Sequence, residues 1–156
     1  MLKKCLFSCV CIVLLSACSS DKSKDLEQET KDRVDRAVTL VEEKGSAAFP
    51  EFSEPEWAHD EHYVFIIDMD GTSLVHPVSP DLVGTDISDL QDRDGKYIVR
   101  DFMDKLETSD TAWSEYQWLN PAKDEIESKR TYLRKAQIPD EGEAVVVGSG
   151  YYESEY

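Results

Sequence analysis

Hydrophobic positions along this chain fall into blocks of different period. Leu6 to Leu15 is an almost unbroken apolar run, preceded by Lys3-Lys4 and followed by Ser16-Ala17. From about Asp25 to Lys44, Val34, Ala37, Val38 and Val41 recur at i, i+3, i+4 and i+7, the spacing of one helix face, and Gly45 stops the pattern. Tyr63-Val-Phe-Ile-Ile67 is continuous, β-branched and aromatic, which predicts a buried strand. Asp70-Gly71 then predicts a hairpin, with Ser73 to Pro77 as the returning strand, closed by its proline. Helical spacing returns from Tyr97 to Leu106, with Ile98, Phe102 and Leu106 facing inward. Three more strands follow, Ala112 to Trp118, Ser128 to Ala136 and Ala144 to Tyr152. Their short connections imply antiparallel pairing. The pattern predicts an α+β domain: a long N-terminal helix, a short second helix and an antiparallel sheet of about five strands, with the helices on one face.

Composition changes the picture at the N-terminus first. A basic start, a ten-residue apolar run and small residues at its end are the parts of a signal peptide, Met1 to Ala17. The run is too short to span about 30 Å of hydrocarbon. Cys5, Cys9 and Cys11 lie inside this segment, so Cys18 is the single cysteine of the mature chain, which excludes a disulfide framework and a cysteine metal site. The formal net charge is −16, and loss of Lys3 and Lys4 makes it more negative. So acidic a surface excludes nucleic acid as a partner and keeps the body off anionic headgroups. Residues 18–24 read as a polar tether and 25–156 as one domain.

Leu15-Ser16-Ala17-Cys18 resembles the lipobox of bacterial lipoproteins. That resemblance implies cleavage before Cys18 and acylation of its thiol, with several acyl chains giving a lasting lipid anchor in the membrane. Ser19 after the cysteine implies a periplasm-facing protein on the outer membrane.

The domain itself resembles a single Cache domain, the PAS-like extracytoplasmic sensor module of bacterial chemoreceptors and kinases. The residues that carry the likeness are Val41 to Phe49, Phe65-Ile-Ile-Asp-Met-Asp-Gly-Thr72, Val75-His-Pro77 leading to Val83-Gly84, and Asp92-Arg-Asp-Gly-Lys-Tyr97. Trp113-Ser-Glu-Tyr-Gln-Trp118 with Asn120-Pro121, Lys129 with Tyr132, and Val147-Gly-Ser-Gly-Tyr151 complete the ordered set. The likeness implies a pocket on the sheet for small organic molecules, often short carboxylates. It assigns ligand contacts to His76, Tyr116, Trp118, Lys129 and Tyr132: charge from Lys129, hydrogen bonds from Tyr132 and His76, apolar walls from Tyr116 and Trp118. Alternation by itself places Tyr116 with Trp118 and Trp113 on the other face, and it separates Lys129 from Tyr132 unless a bulge intervenes. Family members normally continue into a transmembrane helix and a signalling domain. This chain stops at Tyr156, which implies a binding role exercised through a sensor kinase, chemoreceptor or transporter.

Other motifs compete with that reading. Asp68-Met-Asp70-Gly-Thr72 after an apolar strand also matches the first motif of haloacid-dehalogenase-like phosphatases, where one Asp attacks phosphate and the other is the general acid. That fold needs a parallel sheet with helical crossovers, whereas the residues beyond Asp70 read as antiparallel hairpins. Asp92-Arg-Asp94-Gly95 resembles part of an EF-hand loop, but aligning its glycine places Leu90 at the first ligand position, where an oxygen is required. His59, His62 and His76 lack any metal-binding spacing. The expectation is therefore a non-catalytic binding module for a small organic anion, with no cofactor and no metal. The alternatives are a phosphatase using Asp68 and Asp70, or a docking protein whose pocket is vestigial.

Overall fold

A computed structural model of the protein describes residues 17–139 and 142–156, with side chains from Asp21 onward. The signal segment up to Ser16 lies outside the described residues, as does the side chain of Cys18. Helix α1 (Ala17–Lys44) leads into a 3-10 segment (Gly45–Ser53), and two short strands, β1 (Ala58–His59) and β3 (Ser73–Val75), flank β2 (His62–Asp68). Helix α2 (Ile98–Leu106) precedes β4 (Thr111–Asn120), β5 (Glu125–Gln137) and β6 (Ala144–Tyr152), and a 3-10 turn (Glu153–Glu155) follows. The six-stranded sheet runs β1-β2-β6-β5-β4, with β3 also on β2, and its pairs are antiparallel. The strand missing from the sequence reading is β1, two residues long and too short to show a period. Helix α1 begins eight residues before the expected Asp25, because the polar stretch 18–24 contains no helix breaker. None of the described helices is long and apolar enough to cross a membrane.

The helices do not share a face. Val34, Ala37, Val38 and Val41 of α1 are essentially fully buried and pack with Val64, Ile66, Ala136, Val145 and Val147. Ile98, Val99, Phe102 and Leu106 of α2 pack instead with Tyr63, Phe65, Ile67, Tyr116, Leu133 and Val146. The expectation of helices on one face is thus corrected. Its physical reason is legible in β2, whose interior is buried at every position because alternate residues serve different cores. Each such side chain contributes roughly 1.5–3 kcal/mol by leaving water, so both layers stabilise the same central strands.

Gly45 ends α1 with φ +62, a conformation glycine adopts without strain. Two Asp-x-Asp-Gly turns then shape the second face. Asp68 Oδ1 accepts the N–H groups of Asp70 (3.0 Å) and Thr72 (2.8 Å), which closes the predicted hairpin. Gly71, at φ +94, accepts the Ile87 N–H at 2.9 Å, which draws the 84–88 segment onto the turn. Asp92 repeats the device: Oδ1 accepts from Asp94 and Lys96, both 2.9 Å, while Oδ2 accepts the Gln117 N–H of β4 at 3.0 Å. The 3-10 turn (Pro80–Leu82) and the residues up to Tyr97 are thereby held across the sheet as a cover.

Candidate ligand site beneath the loop cover

Between this cover and the sheet lies a cavity of about 20 Å³ lined by Phe65, Ile67, His76, Ile87, Tyr116 and Trp118 among others. That is space for little more than a water molecule. Its lining is apolar and aromatic with one imidazole, the composition of a small-molecule site.

His76 follows β3 and is 8% exposed, with its ring 5.3 Å from that of Tyr63 and 5.8 Å from that of Trp118. Its Nδ1 is buried without a hydrogen-bond partner. Burial, reinforced by the charge of Lys129, pushes the imidazole down to about 3, so it is neutral at physiological pH. Tyr116 is buried, its hydroxyl 3.1 Å from Thr131 Oγ1, and its ring lies edge-on to Trp118 at 6.1 Å.

Lys129 stands one layer behind the cavity. It is fully buried, and its ammonium has no hydrogen-bond acceptor. Nζ lies 3.7 Å from the centre of the Tyr63 ring and 5.0 Å from that of Tyr152. These faces offer cation–π attraction but no lone pair. Burial therefore holds Lys129 well below the usual lysine range, opposed by Glu155 and assisted by Arg33. The Tyr152 hydroxyl donates to the Leu119 carbonyl at 2.8 Å, which fixes one of the two rings facing the ammonium.

Of the residues the resemblance assigned, the structure brings together His76, Tyr116, Trp118 and Lys129. Tyr132 does not join them. It is three residues from Lys129 on an unbulged ladder in which Lys129 faces Tyr116 and Tyr132 faces Trp113, so it points to the α1 face and packs on Trp113 at 5.1 Å. Alternation had separated the two, and the assignment of Tyr132 as a hydrogen-bond donor in this cavity is corrected on that ground.

Tyr63, Phe65, Tyr152 and two glycines escaped the sequence reading. A Cβ at Gly148 would run into the Phe65 ring, and one at Gly150 would sit 2.6 Å from Thr131 Oγ1 and 3.0 Å from Lys129 Cε. Glycine inside an otherwise continuous strand marks close approach by a neighbour, and Gly148-Ser-Gly150 carried that signal.

A long helix backing an antiparallel sheet whose other face holds a loop-covered, aromatic cavity defines a PAS-like ligand-binding module. The chain belongs to the single Cache domain family: the family model "Single Cache domain 2" matches residues 13–156. Cache domains are extracytoplasmic sensor modules that bind ligands. Among solved structures, the chain is similar to a methyl-accepting chemotaxis protein from Vibrio parahaemolyticus, with 18% identity, TM-score 0.69 and coverage of 88% of this chain and 98% of that one. It is also similar to a Cache chemosensory domain studied for carboxylic acid recognition, with 21% identity, TM-score 0.65 and coverage of 90% and 99%. A periplasmic sensor domain of a chemotaxis protein matches at 21% identity, TM-score 0.63 and coverage of 88% and 99%. At these identities the structures share the fold.

Proposed function

We propose that this protein is a membrane-anchored extracytoplasmic module, acylated at Cys18, that binds a short carboxylate at the His76 cavity and performs no chemistry of its own. The observation that carries the reading is Lys129, a fully buried cation with no acceptor. An unpaired buried charge is costly, and an arriving carboxylate relieves that cost directly. The carboxylic acid recognition named for one similar Cache domain supports the same ligand class.

Binding proceeds by displacement. The cavity is too small for a carboxylate and does not reach Nζ, so Trp118, which is half-buried at the edge of the cover, swings away and frees Tyr63 to yield. The carboxylate then meets the ammonium while its carbon skeleton lies on Phe65, Ile67 and Tyr116. A ligand of four heavy atoms gains at most about −6 kcal/mol, which limits affinity to a dissociation constant of about tens of micromolar. The bound state would be read by a sensor kinase, chemoreceptor or transporter beside the anchor.

The phosphatase alternative finds no support in Asp68, whose Oδ1 is engaged by two backbone N–H groups at the end of an antiparallel strand.

Calorimetry of the protein with a panel of short carboxylates tests the reading. Saturable binding is expected, and Lys129→Met should weaken it about tenfold or more without unfolding the domain. A folded Lys129→Met variant with undiminished affinity would overturn it. Mass spectrometry tests the anchor separately: Cys18→Ser should carry no acyl mass.

A further inference from the structure

The end of the sheet beyond Lys129 gathers a second set of groups that the carboxylate reading does not use. Glu61 and His62 leave the β1–β2 turn, and the C-terminal 3-10 turn returns Glu155 to the same place. One ligand atom from each of the three lies within 4.8 Å of the others. His59 is the register partner of His62 across that two-strand ribbon, and their rings are 5.8 Å apart.

We propose that His59, Glu61, His62 and Glu155 form a zinc site that clasps the C-terminal turn to the edge of the sheet. Two imidazoles and two carboxylates are a donor set suited to Zn²⁺. His62 Nε2 and Glu155 Oε2 are 3.2 Å apart, close to the roughly 3.3 Å edge of a tetrahedron with bonds of about 2.0 Å. Both side chains are mostly buried, at 18% and 10% exposure, so this edge is held in place by its surroundings. Glu155 is oriented further by its other oxygen, which accepts the Tyr152 N–H at 2.6 Å, the kind of outer contact that fixes a metal-binding carboxylate. Glu61 closes the remaining gap by a small side-chain movement from the turn that Asp60, at φ +50, creates. His59 is half exposed, with its Nδ1 3.9 Å from Asp60 Oδ2, and turns from there into the fourth position. Arg33 is the opposing charge at this edge. It is engaged with Ser149 Oγ at 3.2 Å, and the two glutamates outweigh it.

The full-length protein, stripped with chelator, is titrated with ZnCl2 by calorimetry and with Co²⁺ by visible absorption. One Zn²⁺ per chain, intense tetrahedral Co²⁺ bands and a raised melting temperature are expected. His62→Gln, Glu155→Gln, Glu61→Gln and His59→Ala should each weaken binding at least about tenfold. Glu125→Gln, an exposed acid outside the cluster, should not change it. No saturable binding by the unaltered chain overturns the site. So does unchanged affinity in Glu61→Gln and His59→Ala, the two variants that leave the core untouched.

Discussion

The two faces of the sheet are built from the same strands to opposite ends. On the α1 face, Val34, Val38 and Val41 meet Val64, Val145 and Val147 in a dry core, and the charged groups stay at its rim, where Arg134 pairs with Asp35 at 2.6 Å and Arg130 with Glu27 at 3.0 Å. On the cavity face, a lysine and a histidine lie inside the aromatic layer with polar atoms unpaired. A fold that keeps a mainly apolar core beside one holding an unpaired lysine and histidine separates stability from recognition. The first face holds the sheet together, and the second stores free energy that a complementary anion can release.

Truncation on the α1 face should break the comparison hardest. Phe52 is fully buried at the end of the 3-10 segment, edge-on to Trp57 at 5.1 Å, and Phe52→Ala should cost about 3–5 kcal/mol in urea unfolding. Acid acts next, and on the other face. His76 sits at about 3 when folded against about 6.5 when unfolded, so the unfolded chain binds the extra proton between these values. Stability should therefore fall as pH drops from about 6.5 towards 3, by up to a few kcal/mol, and His76→Phe should flatten that part of the profile.

Lys129 should show the opposite sign from ordinary core residues. Lys129→Met removes an unpaired buried charge while keeping most of the stem, so it should raise stability by about 1–3 kcal/mol while weakening ligand binding about tenfold or more. The linkage agrees: a lysine depressed by folding destabilises below the unfolded value near 10.4, so wild-type stability should climb with pH in that range and the variant should lack this climb. A loss of stability in Lys129→Met would instead mean that the aromatic faces compensate the charge in full. The smallest effect belongs to the rim of the α1 face. Arg134→Met removes an ion pair open to solvent and should change stability by less than about 1 kcal/mol, an effect weakened further by salt.

Much of this was legible in residue order alone. Helix α1 follows from a 3.6-residue apolar stripe, β2 and β6 from continuous β-branched runs, and the hairpin from Asp70-Gly71, because each of these signals is local and has one conformational solution. Alternation likewise placed Tyr116 and Trp118 together and Tyr132 apart, since a strand without a bulge leaves no other choice. Tertiary structure decided the rest. Nothing local tells which face of a doubly buried strand receives α1 and which receives α2, and the two cores assign them to opposite sides. Nor could spacing reveal that Lys129, more than sixty residues beyond Tyr63, would lie on its ring, or that Glu155 would arrive beside His62. Those meetings depend on β6 running between β2 and β5, a pairing of distant strands whose register is set by packing across the whole sheet.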